Sequence, residues 1–323
     1  VWPAQQRLHS GWYAGTADAV FQNLDLLCTQ GNRYTLVLAG DHIYKMDYRR
    51  LLAQHASSGA GVTVGCVPVP VECASSFGVL RIDGRSNVLS FIEKPSVASL
   101  NVGLGSTVLA SMGIYVFTTD YLVDLLNRDA RQTESAHDFG RDILPCAVRE
   151  NRVSAHLFAD ESGGPGYWRD VGTLDAYWQT HMELLATNPP LDLYDPAWPI
   201  HTHSEVLPPA KVESTSGRRG FVGSSLLAAG SVVGCSTVTS SVLATGVRVG
   251  DGSMLDEAVV LPNARIGSNC RLRRVIVDTG TEVPDGTVIG WQAGPIERAA
   301  EQPVVLVTAE TVANGAKDFR SVA

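Results

Sequence analysis

From Phe221 onward the sequence repeats. Val249, Leu255, Val260, Ile266, Leu272, Val277, Val283 and Ile289 recur about every six residues, and small or turn-forming residues such as Gly250, Gly267 and Pro284 tend to follow them. The segments VVGCST, VRVGDGSM, ARIGSNC and TEVPDGT return at intervals of about 17 residues, or three sixes. Three short strands per turn, each sending one aliphatic side chain inward, describe a parallel β-helix rather than an ordinary β-sandwich. A single coil cannot bury its own apolar face, so such an interior exists only as a stack.

A different rule governs the first part of the chain, where helical and extended segments alternate from Gly15 to about Ala186. Ala17, Val20, Phe21, Leu24, Leu27 and Cys28 fall at helical spacing, and the apolar run from Thr35 to Ala39 that follows is short, β-rich and closed by a glycine. Tyr48, Leu51, Leu52 and His55 predict another helix and GVTVGCVPV another buried strand; FGVLRID, NVLSFIEKP and SMGIYVF are further extended segments. Thr173 is placed to cap a helix over GTLDAYWQTHMELLA. This alternation predicts parallel strands covered by helices. Between Asn188 and Gly220 the sequence turns proline-rich and aperiodic, as a connector would. The expected organisation is an α/β domain over 1–187, a linker over 188–220 and a β-helix over 221–323.

Composition narrows the function classes. With 25 basic against 33 acidic residues, the 323-residue chain has no broad cationic footprint for nucleic acid. Its six cysteines form no CxxC pair and are too few to staple a chain of this length, which predicts reduced thiols and a cytoplasmic location. No run of 18 or more apolar residues predicts a membrane span, and no basic start with an apolar region and cleavage site predicts export.

Three segments carry chemistry. Asp41 follows the small residues Ala39 and Gly40 at a strand end, where ligands of an open α/β sheet sit. A carboxylate there suits Mg²⁺, which takes one or two carboxylates plus water and phosphate oxygens; capping of the turn before YKMDYRRLL explains it equally well. Asp170, in GYWRDVGTLDAYW, is either a second metal ligand presented by a loop or the salt-bridge partner of Arg169. Glu93 and Lys94 close an alternating strand in FIEKP. Neighbours on a strand point to opposite faces, so both reach one ligand only if the chain turns at Pro95; otherwise they form a surface ion pair. Lys offers phosphate a compact positive charge, and Glu accepts hydrogen bonds from sugar hydroxyls.

Taken in order, WPAQQR, WYAGTADAV, LAGDHIYKMDY, SSFGVLRID, FIEKP, LASMGIYVF, HDFGRDILP, YWRDVGTLDAYW and LYDPAWPIHT, followed by hexapeptide repeats, closely resemble the bacterial ADP-glucose pyrophosphorylases, the glucose-1-phosphate adenylyltransferases of glycogen synthesis. The resemblance implies a Rossmann-like nucleotidyltransferase domain followed by a left-handed parallel β-helix, and a reaction in which ATP and glucose 1-phosphate give ADP-glucose and pyrophosphate. By the same matching, Asp41 and Asp170 would hold the catalytic Mg²⁺, Lys94 would grip the sugar phosphate and Glu93 the glucose hydroxyls. Tyr13, Gly78, Ser111 and Asp138 match further substrate-contacting positions, and Gly15, Thr16, Ala17 and Asp18 would lie along the nucleotide. The sugar phosphate is itself an anionic nucleophile, so His42 is read as a structural neighbour of Asp41 and not as a base. The family also implies a homotetramer, with the β-helix in packing and regulation, and allosteric effectors among sugar phosphates and AMP.

The chain opens with Val1 and enters motif-dense sequence at once. The family's glycine-rich, Arg- and Lys-containing loop for ATP phosphates has no counterpart here, since SGGPGY lacks the surrounding strand, helix and basic residues. The expectation is therefore a piece of a longer enzyme, poorly active by itself. Three rivals remain: a sister enzyme using UTP, dTTP or GTP, a regulatory subunit that has kept the fold, and a hexapeptide-repeat acyltransferase. The last commonly needs a histidine base in its coil, and no histidine occurs after His203.

Overall fold

The structure is a computed structural model, describing residues 12–29, 31–100, 102, 106–160, 163–215, 217–291 and 303–313. The WPAQQR motif and the last ten residues of the expected β-helix domain lie outside the described residues. Two compact units, 1–168 and 169–323, divide inside the short strand Trp168–Asp170.

The first unit is built on a six-stranded sheet. Its strands are β1 (Tyr34–Val37), β3 (Val62–Pro70), β4 (Gly78–Ile82), β5 (Val88–Glu93), β6 (Thr107–Thr118) and β7 (Val153–Leu157). Strand β2 (His42–Tyr44) lies apart and pairs with β8 (Trp168–Asp170). The sheet is mixed, which corrects the expectation of parallel strands. Among the described strands of this sheet only β3 and β7 pair in parallel, whereas β6 runs antiparallel to β1, β3 and β4. Alternation of helices and strands reports that both faces are covered; it does not report strand direction.

Period-two burial divides the apolar residues between two faces. Along β6, Ile114 and Val116 join Leu51 of α3 (Tyr48–Ser58) in one cluster. Tyr115 and Phe117 join Leu122, Leu125 and Leu126 of α4 (Thr119–Asp129) and Leu144 and Ala147 of α5 (Leu144–Arg149) in the other. The helical spacing predicted between Ala17 and Cys28 becomes two short helices, α1 (Thr16–Phe21) and α2 (Leu24–Thr29). Helix α3 begins at Asp47, whose carboxylate accepts the Arg49 amide, and ends at Gly59 in the left-handed region.

The second unit contains the repeat. Three parallel sheets of five strands each wind as a solenoid, and residues about 17 apart face one another across coils, as the sequence period predicts. Val249 pairs with Ile266 and Ile266 with Val283; Leu255 pairs with Leu272 and Leu272 with Ile289. All eight residues that define the period are buried. At one corner polar side chains stack in the same register: Ser253 Oγ donates to the Gly267 carbonyl at 2.7 Å and accepts the Cys270 amide at 2.9 Å. The coil takes in Lys211–Val212 from the proline-rich stretch, which pair with Val232–Val233. Helix α6 (Leu174–Glu183), capped by Thr173 as predicted, packs on the solenoid through Trp178, Val259 and Ile276. There the indole N–H of Trp178 donates to the Glu257 carbonyl at 2.7 Å, and the Arg274 guanidinium lies 4.3 Å from the ring centroid.

Candidate active site

Two sequence-predicted acids come together. Strand β2 starts immediately after Asp41, and β8 ends at Asp170. One ligand atom each from Asp41, His42 and Asp170 lies within 4.8 Å of the others. Asp41 is open to solvent, its side chain 64% exposed, while His42 is 11% exposed. The rival partner for Asp170 is engaged elsewhere: Arg169 pairs with Glu183 at 3.0 Å. Asp170 Oδ1 accepts the Gly172 amide at 2.8 Å, which fixes the turn into α6. Two carboxylates, one of them well exposed, fit a hard divalent cation that completes its shell with water and phosphate oxygens.

His42 is placed by packing. Its ring stands edge-on to Trp168 at 5.1 Å between centroids, and Trp168 packs in turn on Phe77. The ring also lies over Gly113. A Cβ there would meet His42 Cε1 at 3.0 Å and Ala39 Cβ at 3.3 Å, and Gly113 takes φ +66°, which a side-chain-bearing residue rarely adopts. This glycine sits where the β3–β6 register shifts, between the pairs Val64–Tyr115 and Cys66–Ser111. The bulge aims Ser111 inward; its Oγ accepts the Gly113 amide at 3.3 Å. Burial pushes the neighbouring Tyr115 hydroxyl up to about 12, while its hydrogen bond with Ser111 acts the other way. Sequence reading missed Gly113, although a lone glycine inside a strand pattern signals a bulge.

The predicted sugar side forms a second cluster. Gly78 and Glu93 are register partners on β4 and β5, and the Glu93 carboxylate fills the space above both Gly78 and Gly140. Burial raises the Glu93 pKa above the ordinary carboxylate value, the charge of Asp138 raises it further, and Lys94 and Arg141 oppose both. The strand ends at Glu93 and Lys94 takes φ +46°, so the chain turns before Pro95. Gly140 was not picked out from sequence; the clue was a glycine beside a helix-capping aspartate in HDFGRD.

Asp138 and the Gly15–Asp18 segment are joined to each other. Asp138 Oδ1 accepts the amides of Gly140 and Arg141, and its Oδ2 accepts the Thr16 hydroxyl at 2.9 Å. The amides of Ala17 and Asp18 donate to the His137 carbonyl. Asp18 Oδ2 accepts the Ala14 amide and the Gln22 side chain, both at 2.9 Å. Gly15 lies so close to the carbonyls of Ala136 and His137 that no Cβ fits. Tyr13 accepts a 3.4 Å hydrogen bond from Asn23 and packs beside Trp12. The segment thus presents a docked backbone rather than a ring of open amides.

Residues 1–187 match the nucleotidyl transferase family and residues 208–307 the family described as GlmU-like, C-terminal hexapeptide. Over 324 aligned residues the chain is 47% identical to a glucose-1-phosphate adenylyltransferase of Paraburkholderia phytofirmans, covering 97% of this chain and 77% of that protein. It is 48% identical to one of Thiobacillus denitrificans, over 95% of this chain and 71% of the relative. The corresponding values for glucose-1-phosphate adenylyltransferase 2 of Alkalilimnicola ehrlichii are 49%, 90% and 69%.

Proposed function

The chain belongs to the nucleotidyl transferase family, among the glucose-1-phosphate adenylyltransferases, and from that membership we propose that it serves transfer of the adenylyl group of ATP to glucose 1-phosphate. A phosphate oxygen of the sugar phosphate bonds to the α-phosphorus, the bond from that phosphorus to the β-phosphate oxygen breaks, and pyrophosphate leaves with the electron pair. The nucleophile is already an anion, so no residue has to remove a proton from it. The observation that carries the reading is the convergence of Asp41 and Asp170.

Asp41 and Asp170 are the proposed holders of Mg²⁺, which when bound would neutralise phosphate charge. Glu93, half-buried between two glycines, accepts from glucose hydroxyls and orients the ring. Lys94, exposed at the turn, draws the sugar phosphate toward the carboxylates. Ser111, Asp138 and Tyr13 complete the sugar side, and Gly15, Thr16, Ala17 and Asp18 the nucleotide side. Positioning supplies most of the rate in such a transfer. A homotetramer and regulation by sugar phosphates and AMP belong to the same reading, as does a cytoplasmic location; no helix among the described residues is long and apolar enough to cross a membrane.

The test is calorimetric titration of Mg²⁺ and of ADP-glucose into the protein and into Asp41→Asn and Asp170→Asn, alongside pyrophosphorolysis of ADP-glucose. Loss of Mg²⁺ binding in both variants is expected. Unchanged binding and turnover in Asp41→Asn would favour a regulatory subunit, and better turnover with UTP or dTTP than with ATP would favour a sister enzyme.

A further inference from the structure

One turn beside the site, Ser135 to Asp138, is held by an acid that takes no part in the proposed chemistry. Asp129 ends α4 with its side chain only 9% exposed. Its Oδ1 accepts the Ser135 hydroxyl at 2.6 Å, and its Oδ2 lies 2.7 Å from His137 Nδ1. Ser135 Oγ in turn accepts the His137 amide at 3.0 Å. Two arms therefore run from one enclosed carboxylate to one residue, and that residue takes φ +52°, a left-handed conformation disfavoured for a side-chain-bearing residue. In that conformation the His137 carbonyl accepts the Ala17 amide at 2.8 Å and the Asp18 amide at 3.2 Å. The next residue, Asp138, takes the Thr16 hydroxyl.

We propose that Asp129, Ser135 and His137 are positioning residues for the nucleotide half of the substrate: they fix the turn whose carbonyl anchors the Gly15–Asp18 segment. None of the three needs to touch substrate. A burial cost for the Asp129 carboxylate is offset by charge-assisted hydrogen bonds that exist only when the turn is formed. Holding the turn left-handed therefore falls to these side chains. The inference rests on the reading of Gly15–Asp18 as the nucleotide-facing segment.

The experiment is calorimetric titration of ADP-glucose into the 323-residue chain and its variants, with the melting temperature recorded for each. Asp129→Ala is expected to weaken ADP-glucose binding about ten-fold, the scale of one lost charge-assisted hydrogen bond. Adding His137→Gly to Asp129→Ala is expected to recover much of that affinity, because glycine adopts positive φ unaided. A role confined to stability would lower the melting temperature of Asp129→Ala and leave the affinity of the folded protein unchanged. Unchanged affinity in Asp129→Ala, or a loss that His137→Gly leaves in place, would overturn the proposal. Should Asp129→Ala fail to fold, Ser135→Ala removes one arm only, and equal affinity in that variant would overturn it too. Failure of the unaltered chain to bind ADP-glucose would instead count against the parent functional reading.

Discussion

The carboxylate of Glu93 occupies the volume that a Cβ on Gly140 would need. Two segments far apart in sequence, FIEKP and HDFGRD, thus meet with no room between them, and the side chain proposed to hold glucose is positioned by the lack of one opposite. Gly140→Ala is expected to push Glu93 aside and weaken binding of glucose 1-phosphate about ten-fold, the loss of one charged hydrogen-bonding group to the sugar. ATP binding should be unaffected. Titration calorimetry with each ligand separates the two, and equal weakening of both would count against the assignment of Glu93 to the sugar.

Burial and the Asp138 charge raise the pKa of Glu93 above its ordinary 4.5. Relative to the unfolded chain, folding therefore holds the Glu93 proton more tightly. Its contribution to stability is complete below the ordinary value and is lost as pH rises through the raised one. Relative to the unaltered protein, Glu93→Gln should gain melting temperature at about pH 8 and lose that advantage near about pH 4. Parallel melting curves across this window would refute the sign.

Trp178 fastens α6 to the solenoid. Trp178→Ala should cost about 3 kcal/mol, as large-to-small changes at buried aromatics do. Trp178→Phe keeps most of the packing but strands the Glu257 carbonyl, for about 1 kcal/mol. Denaturant titration distinguishes the two, and equal midpoints for Trp178→Phe and the unaltered protein would show that the indole N–H contributes nothing.

Ser253 is one rung of a polar column inside the solenoid corner. Ser253→Ala leaves the Gly267 carbonyl and the buried Cys270 amide without their partner, at a cost of about 1–3 kcal/mol. The expected readout is a lower melting temperature with unaltered far-ultraviolet dichroism.

The solenoid was legible because its period is also its register: the inward positions counted along the chain, Val249, Ile266 and Val283, are the residues that pair between coils. Five strands of the first unit were equally readable, but β7 (Val153–Leu157) and the short β2 and β8 were not, nor were strand directions, which depend on pairing partners remote in sequence. Asp41 and Asp170 could be nominated from their surroundings, yet each had an equally good local explanation, and only the geometry shows Arg169 turned to Glu183. The work done by Asp129 was out of reach because it consists of contacts between segments; Gly113 and Gly140 left a local clue, but not which side chain fills the space each leaves. Helix α6 has the apolar spacing of any surface helix, and spacing alone does not say which surface receives it.

Thr237 to Ile289 pair from coil to coil at 17 residues, the coil before them pairs at 16, and the flanking pairs Lys211–Val232 and Val275–Val305 span 21 and 30, so the inward columns stay paired while the chain between them varies in length. Removing or adding a whole rung leaves the stacked columns continuous, whereas a single-residue insertion inside a strand turns its inward side chain outward. Size variation in this unit is therefore expected to come in multiples of a rung, with odd lengths absorbed only where the chain crosses a corner.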